Sequence, residues 1–284
     1  MGVKEKLWVR RETTGEWWLV KLTRRHDDAD APGEDWAEWL VHHLATQLGV
    51  PTATVRPTTW NGSRATASLR VMSEDADQLV HGNSLLSGHN PRYDPNVDRP
   101  NPLYTPAAVA AALNGVAPPE GFGGQPGMTG YEVWAGYLLL DAWVAGRDRH
   151  HQNWGIIRTG DRRHLSPSFD HGNALGFAEP EAKVTRLIEQ PDALGRWLAK
   201  GTSHHFAGKP LLVDLALEAL RLCRPFAGAY WIDSLQAIDP DSVKGLVSGV
   251  PVSLMSEARR RFILQLLEEN RRRLLDGYRA QIPR

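Results

Sequence analysis

The chain has a single cysteine, Cys223, in 284 residues, so no internal disulfide can brace it. It also lacks a charge excess: 33 basic residues face 33 acidic ones, and a formal charge of zero offers no basic surface to nucleic-acid phosphates. No apolar run opens the sequence, where MGVKEKLWVRRE is rich in charge. Neither a signal peptide nor a membrane span is therefore expected, and the expected compartment is cytoplasmic. Internal repeats are missing as well. The eleven tryptophans follow no period, and Trp8, Trp17, Trp18, Trp36, Trp39 and Trp60, scattered through strand-like and helix-like segments, are expected mostly in the core.

What is present suffices for one large domain or two modest lobes with a sizeable core. KLWVRRETTGEWWLVKL carries two apolar runs about Thr13, Thr14, Gly15 and Glu16, which predicts a β-hairpin. A helix is predicted from Glu34, with acids in its first turn, Trp36, Leu40, Leu44 and Leu48 on one face, and Gly49 as its stop. Two more strands follow around the Asn61-Gly62 turn, giving β-β-α-β-β. From His81 to Gly130 the chain turns rich in glycine, proline and asparagine, read as a hinge and excursion with one short helix opened by Thr105 and Pro106. Beyond Tyr131 most patterns are helical. The last, SEARRRFILQLLEENRRRLLDGYRA, predicts an apolar face of Phe262, Leu266, Leu267, Leu274 and Tyr278. It also predicts i,i+4 pairs Glu268 to Arg272 and Glu269 to Arg273, with both arginine runs, 259–261 and 271–273, on a solvated face. The expected organisation is a β-rich lobe with one helix over residues 1–76 and a helical lobe over 77–284.

The densest chemistry lies in GRDRHHQNWGII, followed by a turn at Thr159, Gly160 and Asp161 and then SFDHG. A loop and hairpin bearing Asp148, Asn153 and Asp170 carry what phosphoryl transfer from ATP requires. One carboxylate receives the attacking hydroxyl's proton, while an amide oxygen and a second carboxylate hold magnesium on the triphosphate. Magnesium takes few protein oxygens and completes its shell from phosphate and water, so Asn153 and Asp170 are a sufficient pair. Upstream, Lys21 ends the strand WWLVKL and Glu38 lies in the following helix. A lysine among apolar neighbours needs an anion, and a Lys21–Glu38 ion pair facing the phosphates uses both residues.

DRHHQNWGII with LSPSFDHG, together with WLVKL, GEDWAEWLVHHLATQLGVP and LVHGNSLL, resembles the catalytic domain of HipA-like serine/threonine kinases, and more distantly the phosphatidylinositol kinases. The resemblance implies an α+β, bilobal protein-kinase-like fold, with a small mixed β lobe and a larger, mainly helical one. It implies Asp148 as catalytic base, Asn153 and Asp170 as magnesium ligands, Lys21 as phosphate-binding residue and Glu38 as its partner. Backbone groups within the stretch from Leu69 to Glu74, at Val71, Met72 and Ser73, would meet adenine. His150, two after the aspartate, would assist the attacking hydroxyl. The chain departs from the pattern at its front, where only some twenty residues precede the lysine strand and the hairpin turn has the single glycine Gly15. A partner chain could complete that lobe, and no residue here inherits the family's autophosphorylation site.

The expected reaction is ATP- and magnesium-dependent transfer to a protein serine or threonine. A small-molecule or inositol-lipid acceptor is the nearest alternative, although neutral charge and the lack of an amphipathic anchor disfavour a lipid surface. A pseudokinase binding module would keep the fold without transfer. A metal-dependent hydrolase would gather His150, His151, Asp148, Asp170 and His171 on zinc or manganese, leaving Lys21 and Glu38 unused.

Overall fold

The computed structural model describes residues 6–23, 33–72, 77–97 and 99–281. Strands β1 (Lys6–Arg10) and β2 (Trp17–Leu22) form the expected hairpin, Leu7 opposite Val20, with Gly15 at φ +73° in the turn. Helix α1 (Glu34–Leu48) follows, then β3 (Val55–Trp60) and β4 (Ser63–Leu69) about the Asn61-Gly62 turn. The four strands make one antiparallel sheet in the order β1-β2-β4-β3. The β-β-α-β-β reading of the sequence therefore holds.

Helix α1 has no side-chain cap at Gly33. Its N-terminal turn is instead fixed to the sheet by Asp35, which accepts from Arg64 Nε of β4 at 2.8 Å. Its apolar face is buried, and Gly49 ends it in the left-handed region at φ +79°, a conformation that costs glycine no Cβ clash. Trp18 and Trp36 lie in the core as expected, but Trp8 and Trp17 are 51% and 38% exposed. Register and alternation put both indoles on the same face as Leu19 and Lys21, where they line open hollows.

The chain leaves the first sheet after Leu69 and enters a second at β5 (Gln78–His81), so the expected boundary at 76 falls within residues 73–76, outside the described ones. Here the sequence reading needs correction. Strand β5 pairs antiparallel with β6 (Gly155–Thr159), which pairs with β7 (Arg162–Leu165), giving the helical part of the chain a three-stranded sheet of its own. The segment read as an excursion with one short helix holds two: α2 (Gly82–His89) and the expected α3 (Pro106–Ala112), whose cap Thr105 Oγ1 accepts from Ala108 N at 3.1 Å.

Helix α4 (Gly130–Trp143) is the centre of the molecule, buried along its whole length and opened by a capping box of Thr129 and Glu132. Around it and along its flanks lie α5 (Glu181–Glu189), α6 (Ala193–Leu198), α7 (Leu212–Arg221), α8 (Pro225–Ala237), α9 (Pro240–Gly249) and α10 (Glu257–Gln281). Trp134, Trp143, Trp154 and Trp231 are fully buried here, each removing on the order of 200 Å² from water, worth about 5 kcal/mol before entropy. Helix α4 meets Trp231 of α8 through Gly136, where an added Cβ would lie 2.4 Å from the indole.

The apolar face of α10 is seated as expected, with Phe262, Leu266, Leu267 and Leu274 buried. Its charges are not arranged as the spacing predicts. Arg272 pairs with Glu269 at 2.6 Å and with Asp276 at 3.2 Å, Arg271 with Glu268 at 3.9 Å, and Arg273 turns to Asn270 Oδ1 at 3.2 Å. Nor are the first two arginines of the 259–261 run solvated, although Arg261 is. Arg259 is buried against Glu181 (2.7 Å) and Gly176 O (2.9 Å), and buried Arg260 donates to the carbonyls of Val247 and Val250 at the end of α9. Guanidinium groups here cap carbonyls at the end of α9 and in the loop before α5.

Candidate active site

The two sheets face each other across a cleft of about 510 Å³, within the range of small-molecule sites. Trp8, Leu19, Leu69, Leu79 and Phe169 supply apolar wall, while Lys21, His150, Asn153 and Asp170 supply polar groups. Trp8 is exposed because it edges this cleft. Val71 lines it too. Met72 lies in an adjoining hollow with Trp17 and Arg10, its carbonyl accepting from Arg70 Nε at 3.1 Å, and Ser73 lies outside the described residues.

Lys21 is buried on β2, with Nζ 2.8 Å from Asp170 Oδ1 and 3.9 Å from Glu38 Oε1 of α1. Thr66 on β4 donates to the other Glu38 oxygen at 3.2 Å. Burial alone would pull the lysine's pKa down, but the Glu38 and Asp170 carboxylates outweigh it and hold the pKa above its ordinary value. The ammonium is therefore fixed as a cation inside the site rather than turned to solvent.

Asp170 reaches Lys21 because its segment is stitched to the turn after α1. Ser168 N donates to Pro51 O, and Ala53 N to Ser168 O, both at 2.8 Å. Asp170 itself has φ +64°, a left-handed conformation that aspartate tolerates better than most residues, held by what surrounds it.

The loop after α4 is built on Arg149. Its guanidinium forks onto Asp141 of α4 at 2.7 and 2.8 Å and donates to Asn153 O at 2.8 Å, so one buried cation sets the span from Asp148 to Asn153. Burial would lower the Arg149 pKa, and Asp141 more than offsets it; burial raises the Asp141 pKa against the pull of Arg149. Across the loop, Asn153 Nδ2 donates to Asp148 O at 2.8 Å. That bond leaves the amide oxygen as the Asn153 atom for a hard cation, and Asp170 adds a carboxylate. The donor set is all oxygen, so the pair fits magnesium.

Asp148 Oδ1 accepts from His205 Nε2 at 2.7 Å. Burial pushes the Asp148 carboxyl up, but the His205 hydrogen bond and the fields of His205 and His150 carry it below its ordinary value. Sequence reading missed His205, which lies 57 residues away in a loop where no spacing links it to Asp148. It also missed Asp141, which reads as one more position of an apolar helix.

His150 lines the cleft, its Nδ1 accepting from Gln152 N at 3.1 Å, and burial depresses its pKa to about 4. It is a neutral imidazole at neutral pH. His151 and His171 are architectural. Tyr93 Oη lies 2.6 Å from His151 Nδ1, and His171 is buried with Nδ1 3.5 Å from Arg149 Nη2. Among the described residues no group of three His, Cys, Asp or Glu is placed to hold a metal ion.

A four-stranded sheet with one helix, set over a largely helical body, defines a kinase-like α+β fold. In this the chain is similar to the solved structure of CtkA, a proinflammatory kinase of Helicobacter pylori, with a TM-score of 0.75 and 16% identity over 100% of this chain and 95% of that one. A second similar structure is HipA of Shewanella oneidensis MR-1, solved with HipB and operator DNA, at TM-score 0.43 and 15% identity over 100% of this chain and 67% of that one. No family model and no curated protein matches the sequence. At 16% identity the likeness to CtkA speaks to the fold, and the fold is the one the motifs imply.

Proposed function

We propose that the protein is an ATP- and magnesium-dependent phosphotransferase acting on a protein serine or threonine. The observation that carries this reading is the convergence of Lys21, Asn153 and Asp170 on one cleft, with Glu38 behind the lysine and Asp148 on the adjoining loop. The apolar part of the cleft suits adenine, with Leu69, Arg70 and Val71 along its edge. Lys21, steadied by Glu38, binds the phosphates. Asn153 and Asp170 would hold magnesium, which neutralises charge on the transferring phosphoryl group. Asp148, kept ionised and oriented by His205, accepts the acceptor hydroxyl's proton as the oxygen attacks the γ-phosphorus and ADP leaves. Neutral His150 assists by hydrogen bonding.

The lobes in this reading are residues 1–76 and 77–284. Among the described residues no helix is long and apolar enough to cross a membrane, in keeping with a cytoplasmic kinase. A partner chain contributing to the first lobe belongs to the same proposal.

The test is transfer of labelled phosphate from ATP with magnesium, using host lysate and synthetic peptides as acceptors. Asp148→Ala should lower transfer about 10²- to 10⁴-fold, the ordinary range for a general base, and Asp170→Ala should abolish it. Transfer undiminished in both variants would refute the site. Tight ATP binding without transfer to any acceptor would leave a binding module, and transfer only to small molecules or inositol lipids would reassign the acceptor.

A further inference from the structure

A second cavity, of about 300 Å³, lies behind the catalytic loop, walled by Arg147, Lys200, His204, Arg273, Trp197 and Leu212. The site already described uses none of these side chains. Its charge is one-sided, although the chain as a whole is neutral. Arg147 donates only to uncharged partners, Thr202 O at 3.1 Å and Thr202 Oγ1 at 3.4 Å. Arg273 donates to Asn270 Oδ1 at 3.2 Å, and Lys200 is exposed at the rim. Among the described residues none of these three cations forms an ion pair. Glu179, the one carboxylate on the wall, is taken by Lys183 at 2.5 Å.

Cations gathered on partly apolar walls without an ion-pair partner are costly unless an anion enters. Arg273 shows that cost: burial lowers its pKa, and Glu269 and Asp214 offset this only in part. His204 is lowered by burial and then by Arg147, leaving a neutral ring able to hydrogen bond.

Position gives the cavity its use. Arg147 precedes Asp148, and His204 precedes the His205 that holds Asp148. Asn173 and Ala174 line both this cavity and a small hollow whose other walls include Asp148 and Asp170. The cavity therefore adjoins the loop that carries the base.

We propose that this cavity is an acceptor subsite for an anionic side chain, a carboxylate or phosphate borne by the protein segment that presents the hydroxyl. Its role as an acceptor subsite rests on the phosphotransferase reading; its preference for anions does not. Trp197 and Leu212 cover the aliphatic stem, while Arg147, Lys200 and Arg273 meet the charge, a guanidinium being suited to either oxyanion.

The test is calorimetric titration of the full chain, as Asp148→Ala to prevent turnover, with three serine peptides flanked by glutamate, phosphoserine or glutamine. The anionic peptides should bind at least tenfold tighter than the glutamine peptide, and the better of the two identifies the natural anion. Lys200→Glu, an exposed substitution that should leave folding intact, should cut that preference at least threefold, and Arg273→Gln likewise. Equal binding of all three peptides, or a preference unchanged in both variants, overturns the proposal. The phosphotransferase reading fails separately: anion preference retained in a wild-type protein that transfers no phosphate would leave an anion site without that chemistry.

Discussion

Asp148, the proposed base, is held by His205, whose hydrogen bond fixes where its carboxylate sits and helps keep it charged. Removing the histidine should leave burial as the dominant influence on Asp148, and burial raises a carboxyl pKa. The base would then be protonated at higher pH. For His205→Ala, the acid limb of kcat/KM should move upward in pH and activity on the plateau should fall roughly tenfold, within the range for one positioning hydrogen bond. His205→Gln, which keeps an N–H donor, should restore part of the plateau. An acid limb that stays in place would show that His205 is not coupled to the base. Arg149 is a different case, a strut rather than a reagent. With both partners buried, Arg149→Met strands the Asp141 carboxylate and should cost about 3–5 kcal/mol in urea denaturation. Adding Asp141→Leu should recover much of that loss. If the double variant is no more stable than the single, the cost lies in packing rather than in an unpaired charge.

At the scale of elements, legibility followed locality. Hairpin β1-β2, helix α1 and hairpin β3-β4 were readable because each rests on neighbours in sequence: alternation about a turn, acids at a helix start, glycine at its stop. Strand β5 was not, because four residues, QLVH, carry too little alternation and their partner β6 arrives only after α4. The arginines of α10 were misread for the same reason. Helical spacing says which charges are neighbours on one helix, whereas Arg259 and Arg260 answer to carbonyls of other segments. In the candidate site, Lys21, Glu38, Asn153, Asp170 and Asp148 were singled out by residue type and order along the chain, while His205 and Asp141 depend on folding alone. Tight packing at α4 was equally hidden. A methyl group at Gly136 would enter the ring of Trp231, so Gly136→Ala should lower stability by about 1–3 kcal/mol despite alanine's better helix propensity. Melting curves would decide, since a gain in melting temperature would mean that α8 shifts freely to admit the methyl.

The whole molecule meets at Lys21, which stands on the first sheet and grips Asp170 from the loop beyond the second. The lysine therefore serves both stability and the proposed nucleotide site. Its folded pKa is raised, so its stabilising charge is complete below the ordinary lysine value of about 10.4 and is lost only as pH rises beyond it. Lys21→Met leaves Glu38 buried without its cation and should destabilise the ligand-free protein by about 2–4 kcal/mol at neutral pH. Glu38→Gln in the same chain should return part of this, because the stranded charge is gone. Ligand should report on the other role. If ATP with magnesium binds between the sheets, a concentration one hundred times Kd adds about 2.7 kcal/mol by mass action, roughly 5 °C or more in Tm for a chain of this size. That increment should disappear in Lys21→Met/Glu38→Gln even where its starting stability is largely recovered. A full increment retained in the double variant would place nucleotide binding elsewhere, and would leave the Lys21–Glu38–Asp170 cluster as a clasp between the two sheets.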